Sequence, residues 1–202
     1  MDISDFSYED FASTLSKARN TSQKYKYACC IPGCNERTLK HSHIVPQCVL
    51  KKYICTDNHE LIQCQIDEVH PMSFIDSGEL PLEKIQKIGI EKAMSMPIFC
   101  RRHDNGLFDE YEKNADGIMP TDIRFQVLQS LRAVGALQYH NLKLLVESKA
   151  KREINPYYQG GVYDEEKKAW EFLQRRYDSS IALLYAAIEN NDFDSYVFCC
   201  IE

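Results

Sequence analysis

The sequence predicts an α+β protein: a small zinc-stapled module rich in short strands, followed by a C-terminal helical annex. Two pairs of metal ligands are the first observation. Cys30-Ile31-Pro32-Gly33-Cys34 is a tight thiol turn, and much later Cys100-Arg101-Arg102-His103 leads straight into helix-like sequence. Together the pairs offer four nitrogen and sulfur ligands, the set that a closed structural zinc site takes. The second observation is the stretch between them, where β-prone runs are cut by Pro46, Pro71, Gly78 and Pro81. The third is the helical spacing of apolar residues after Cys100. The boundaries are 1–28 for an N-terminal helix and link, 29–113 for the zinc module and 114–202 for the annex.

Taken in order, residues 6–20 read as a helix, with Tyr8, Phe11, Leu15 and Ala18 at helical spacing and Ser7 as its cap. A polar link from Lys24 to Ala28 enters the thiol turn. Thr38 to Val45 reads as a strand that Pro46 ends, and Leu61–Ile66 and Leu82–Ile90 read as further strands. Leu107, Phe108 and Tyr111 give the helix after Cys100 a short apolar face. Thr121 opens a long helix with Val127, Leu131, Val134, Gln138, Leu142 and Leu145 on one stripe, and Asn155-Pro156 and Gly160-Gly161 break it. Asp164 caps a second long helix whose Trp170, Leu173, Tyr177, Ile181, Leu184 and Ile188 form a narrow seam. The two helices are expected to pair antiparallel and bury Leu131, Trp170 and Leu184, with a dimer seam as the alternative. Ser195 to Glu202 is strand-like, and needs either the middle strands or a further length of chain as its partner edge.

A net charge of -6 argues against a protein that coats nucleic acid through bulk charge. A local basic groove is nonetheless legible. Lys24, Lys26, Arg37, Lys40, Lys51 and Lys52 face the single acid Glu36, and Arg101 and Arg102 lie inside the second ligand pair. The N-terminal residues are acidic and polar, unlike a secretory leader, and no apolar run approaches a membrane span. The expectation is a cytoplasmic protein, where clustered cysteines point to metal rather than disulfides. Of the nine cysteines, those outside the ligand pairs (Cys29, Cys48, Cys55, Cys64, Cys199 and Cys200) are expected to be small buried hydrophobes.

The zinc ligands are therefore expected to be Cys30, Cys34, Cys100 and His103, with Cys29 as the alternative to its neighbour because sequence does not fix the register. His41 and His43 alternate along a strand and so face the same way. Either they share a task as proton acceptor or cation ligand, or one of them replaces a zinc ligand. Asp104 is a hard oxygen ligand for a cation such as Mg2+, or else the cap of its helix.

The order of thiol turn, histidine-bearing strand and thiol pair at a helix start resembles the HNH endonucleases, whose treble-clef zinc fold carries a ββα-metal active site. His43-Ile44-Val45-Pro46 matches the strand piece of that pattern and Cys100-x-x-His103-Asp104 the later piece. The wording Ser42-His43-Ile44, then Phe99-Cys100-x-x-His103-Asp104-x-x-Leu107-Phe108, is also similar to bacterial HNH-like proteins linked to phage defence. The resemblance covers residues 28–112. It implies His43 as general base, His103 at the second zinc position and Asp104 where a final metal-binding histidine usually stands. Ser42 occupies the place of an acidic or histidine ligand, for which His41 is the substitute on the same strand face.

What the resemblance implies is a metal-dependent endonuclease that hydrolyses DNA phosphodiester bonds, with a protein partner in a defence system as a further contact. His43 would activate water, and Asp104, helped by His41 or Asn105, would hold a catalytic divalent cation. Lys40, Lys51, Lys52, Arg101 and Arg102 would hold the phosphate backbone, and Zn2+ would be purely structural. The alternative is a zinc-stabilised module that binds nucleic acid or protein without cutting it. A third reading, thiol catalysis by Cys29, lacks an orienting acid.

Overall fold

The computed structural model describes residues 7–66, 83–113, 115–117 and 121–193. Helix α1, Tyr8–Lys24, starts at a capping box in which Ser7 and Asp10 satisfy each other's backbone amides. Two small antiparallel sheets follow: β1 (Ser42–His43) with β4 (Ser95–Met96), and β2 (Glu60–Ile66) with β3 (Glu83–Gly89). Between β1 and β2 lies a short helical segment, Gln47–Val49, that continues as a wide turn over Leu50–Ile54. Three α-helices, with short 3-10 turns at Ala115–Gly117 and Pro156–Tyr158 between them, complete the described chain: α2 (Arg101–Glu112), α3 (Ile123–Ile154) and α4 (Val162–Asn190).

The expected Thr38–Val45 strand contracts to Ser42–His43. Its backbone is spent on several different partners, which prevents a regular ladder: Thr38 N–H donates to Tyr27, Leu39 to Phe99 and Ile44 to Met94. The register Ser42↔Met96 and His43↔Ser95 leaves Ser42 fully buried. The other two expected strands form one hairpin ladder, Glu60↔Gly89 to Ile66↔Glu83. The terminal strand expected at 195–202, like Pro71, Gly78 and Pro81, lies outside the described residues.

Helix α3 has no single apolar face because it is covered from three sides. It packs against α1, pairs with α4, and presents Val127, Leu128 and Leu131 to a core shared with Cys29, Ile31, Cys34, Ile98, Phe99, Cys100 and Phe108. The same core takes Ile181, Leu184 and Ile188 from α4, so the annex helices and the cysteine-bearing segments bury each other. Gly135 permits this approach. A Cβ there would sit 2.6 Å from the Ile98 Cγ2 methyl and 3.5 Å from Cys30 Sγ, which explains a residue that costs a helix interior about 1 kcal/mol.

The two long helices pair as expected through Gln138 to Asp178 and Asn141 to Gln174 and the Trp170 carbonyl. Leu131 and Leu184 are buried, while Trp170 is half-buried and Leu173 is exposed. The seam of α4 is thus core only in its C-terminal half. Two expected helix starts shift, by one and by three residues: Asp122 caps α3 in place of Thr121, and Gly161 precedes α4 with Asp164 inside its first turn. Among the described residues no helix is long and apolar enough to cross a membrane.

Candidate metal centre

Residues 28 to 37 form a small knuckle. Ala28 bridges Arg37, Cys29 N–H donates to Glu36, and Cys34 N–H donates back to Ile31 with Gly33 at a φ of 75°. Cys29 and Cys30 are adjacent and their thiols touch, yet they reach different neighbours. Cys29 turns inward to Cys34, whereas Cys30 Sγ reaches toward the α3 backbone at Gly135. The second pair is built by a helix start. Cys100 is the N-cap of α2 and His103 stands in its first turn, so both side chains face the knuckle at the positive end of the helix.

Cys29, Cys34, Cys100 and His103 come together as one buried group whose ligand atoms lie within 4.8 Å of one another. His103 Nδ1 is 3.4 Å from Cys29 Sγ and 3.3 Å from Cys100 Sγ, and Cys34 Sγ is 3.9 Å from Cys100 Sγ. A tetrahedral zinc with bonds near 2.3 Å has ligand separations of about 3.8 Å, so the four fit a structural zinc site. The expected ligand Cys30 is replaced by its neighbour Cys29; the other three stand as read from the sequence. The Cys29 thiol is held well below its ordinary value, first by the Cys30 thiol and then by hydrogen bonds from the backbone of Ile31 and Cys100 and from His103. Burial pushes Cys100 up to about 12. Metal would deprotonate such thiols outright. The His103 ring is closed off by Tyr185, edge-on at 5.9 Å.

Beside this clasp lies a polar site built from β1, α2 and α3. Ser42 Oγ, fully buried, accepts from Phe99 N–H at 3.3 Å. His43 Nε2 lies 3.1 Å from the Ile90 carbonyl oxygen. A carbonyl only accepts, so Nε2 carries a proton, and in the neutral ring Nδ1 is then the acceptor. His41 is exposed and its Nδ1 meets Ser95 Oγ at 3.1 Å, so the two imidazoles have separate partners and neither is among the clasp ligands.

Asp104 follows the clasp on α2 and is not the helix cap, since Cys100 holds that position. Burial pushes its carboxyl above the usual range, against the pull of Arg132, of the Ser42 hydroxyl and of His43. Its Oδ1 is buried with no hydrogen-bond partner among the described residues. Arg132, 1% exposed, lies with its guanidinium 4.0 Å over the Phe108 ring and pairs with Glu112. Glu112 Oε2 in turn accepts the Gln47 N–H at 2.7 Å, and Arg132 Nε and Nη1 have no partner among the described residues.

Arg132 and Glu112 escaped the sequence reading, though a signal for each exists. Asp104, Phe108 and Glu112 recur every four residues, which places them on one helix face. Arg132 is a lone cation directly beside Leu131 on a buried helix. Asn105 is exposed, as are Lys40, Lys51, Lys52, Arg101 and Arg102. Two of these cations are engaged, Arg102 with Glu36 at 3.6 Å and Lys52 with Asp116. Among the described residues the clasp is the one group of three or more histidine, cysteine or carboxylate ligands, so His41, His43 and Asp104 do not close a second such cluster. Cys48 and Cys55 are half-buried. Cys29 is a buried member of the clasp. A scan of protein-family models found no match, and searches of curated proteins and of solved structures returned none at a significant level.

Proposed function

We propose that the chain is a zinc-stabilised, divalent-dependent nuclease of the HNH type that hydrolyses DNA phosphodiester bonds, with a role in defence against phage. The observation that carries the proposal is the His43 hydrogen bond to the Ile90 carbonyl. In the neutral ring that bond favours the tautomer with Nδ1 as the acceptor, the form a general base needs. His43 takes the proton from the attacking water, and Asp104 lies near enough for its charge to act on that ring. Mg2+ is commonly held by one or two carboxylates completed by water and phosphate oxygens, and the unpartnered Oδ1 of Asp104 suits that role. Such a cation would supply charge stabilisation at the phosphate. Lys40, Lys51 and Arg101, with Lys52 and Arg102 in exchange for their present acidic partners, would hold the backbone, so binding should weaken steeply with salt.

A second reading is a module that binds nucleic acid or protein without cleavage. It is favoured by Arg132, a buried cation already acting on both Asp104 and Glu112. Incubation of the purified protein with supercoiled plasmid, linear DNA and RNA, with Mg2+, Mn2+ or Ni2+, separates the two. The nuclease reading expects divalent-dependent nicking or linearisation of DNA. Retention of DNA without cutting under every metal would move the assignment to the binding module, and cutting of RNA alone would change the substrate.

A further inference from the structure

We infer that Arg132, contributed by the annex helix α3, is a positioning residue that holds the His43 strand against the Asp104 face of α2; only the kinetic part of its test rests on the nuclease reading. A guanidinium is charged at any working pH and costly to bury, so packing alone would be better served by a leucine or methionine. Here it is 1% exposed and two of its nitrogens lack a partner among the described residues. What it does make is a chain of contacts toward the site. Its face covers Phe108 at 4.0 Å and Nη2 donates to Glu112 Oε1, while Glu112 Oε2 takes the Gln47 N–H at 2.7 Å. Gln47 directly follows His43-Ile44-Val45-Pro46. A parallel tie runs from Cys48 Sγ to the Tyr111 carbonyl at 3.0 Å. Asp104 and Glu112 share one helix, so tethering the strand exit at Glu112 sets where His43 stands relative to Asp104.

Two full-length variants test this role. Arg132→Lys keeps the charge and loses the planar fork; Glu112→Gln keeps the guanidinium and leaves one acceptor for two donors. Three quantities are read: zinc content, the ring tautomer of His43 by proton–nitrogen correlation, and single-turnover plasmid cleavage. The expected result is retained zinc, an averaged tautomer at His43 with His41 unchanged, and a loss of cleavage on the order of a hundredfold. Folded variants with the wild-type His43 signature and rate would overturn the inference. So would failure of both variants to fold, which would make the pair a folding element. A wild-type protein that never cuts, together with the expected tautomer change, would sink the nuclease reading and leave the positioning role in place.

Discussion

Replacing Cys100 by serine should release zinc and unfold the whole chain, not the knuckle alone. The size of the effect follows from the metal: structural zinc contributes on the order of 10 kcal/mol of apparent binding free energy, comparable to the total stability of a domain. Its reach follows from the packing. Cys29, Cys34 and Cys100 belong to the same core as Val127, Leu131, Ile181 and Leu184, so loss of the clasp exposes the seam between α3 and α4. Elemental analysis with thermal melting followed by circular dichroism reads both parts. Chelated protein that melts at the untreated temperature would contradict the structural role assigned to the metal.

His43→Ala should have the opposite signature, abolishing divalent-dependent cleavage while leaving zinc and melting nearly untouched. Loss of a general base costs a factor of about 10² to 10⁴ in rate. The structural cost is small because the ring is half-buried and among the described residues makes one hydrogen bond, to Ile90, worth about 1 kcal/mol. Asp104→Ala should also lose activity, with partial recovery at higher metal concentration if its carboxylate is a ligand of the catalytic ion. Zinc release on His43→Ala would place that ring in the clasp, against the separation of roles argued above.

Much of this architecture was legible because it is written in local signals. Ser7 before a periodic run is the observed start of α1, and the breaks at Asn155-Pro156 and Gly160-Gly161 are the observed gap between α3 and α4. The Cys-x-x-His at a helix start needs only the geometry of one helical turn, and Cys100 and His103 lie as that geometry demands. Choosing between Cys29 and Cys30 is different in kind. The two are adjacent, and which one faces the metal depends on the pairing of residue 29 with Glu36 and of residue 30 with Ile98, contacts the sequence does not display. Cys29 is therefore a ligand rather than one of the small core thiols expected outside the pairs.

Long-range arrangement set the other misses. Thr38–Val45 has strand composition, yet its amides go to Tyr27, Phe99 and Met94 in turn. Trp170 and Leu173 fit the seam by spacing, but the core lies at the other end of α4, around Ile181, Leu184 and Ile188. Arg132 and Glu112 were missed for the same reason: each has a local signal, but its meaning comes from a contact across 20 residues of chain.

The claim on which the rest depends is that Cys29, with Cys34, Cys100 and His103, closes the zinc clasp while Cys30 packs toward α3 at Gly135. Zinc content of Cys29→Ala and Cys30→Ala, purified side by side without chelator, tests it most directly. The geometry predicts about one zinc per chain in Cys30→Ala and a large loss in Cys29→Ala, because only the latter removes one of four tetrahedral ligands. Full zinc in Cys29→Ala with loss in Cys30→Ala would contradict the site as described.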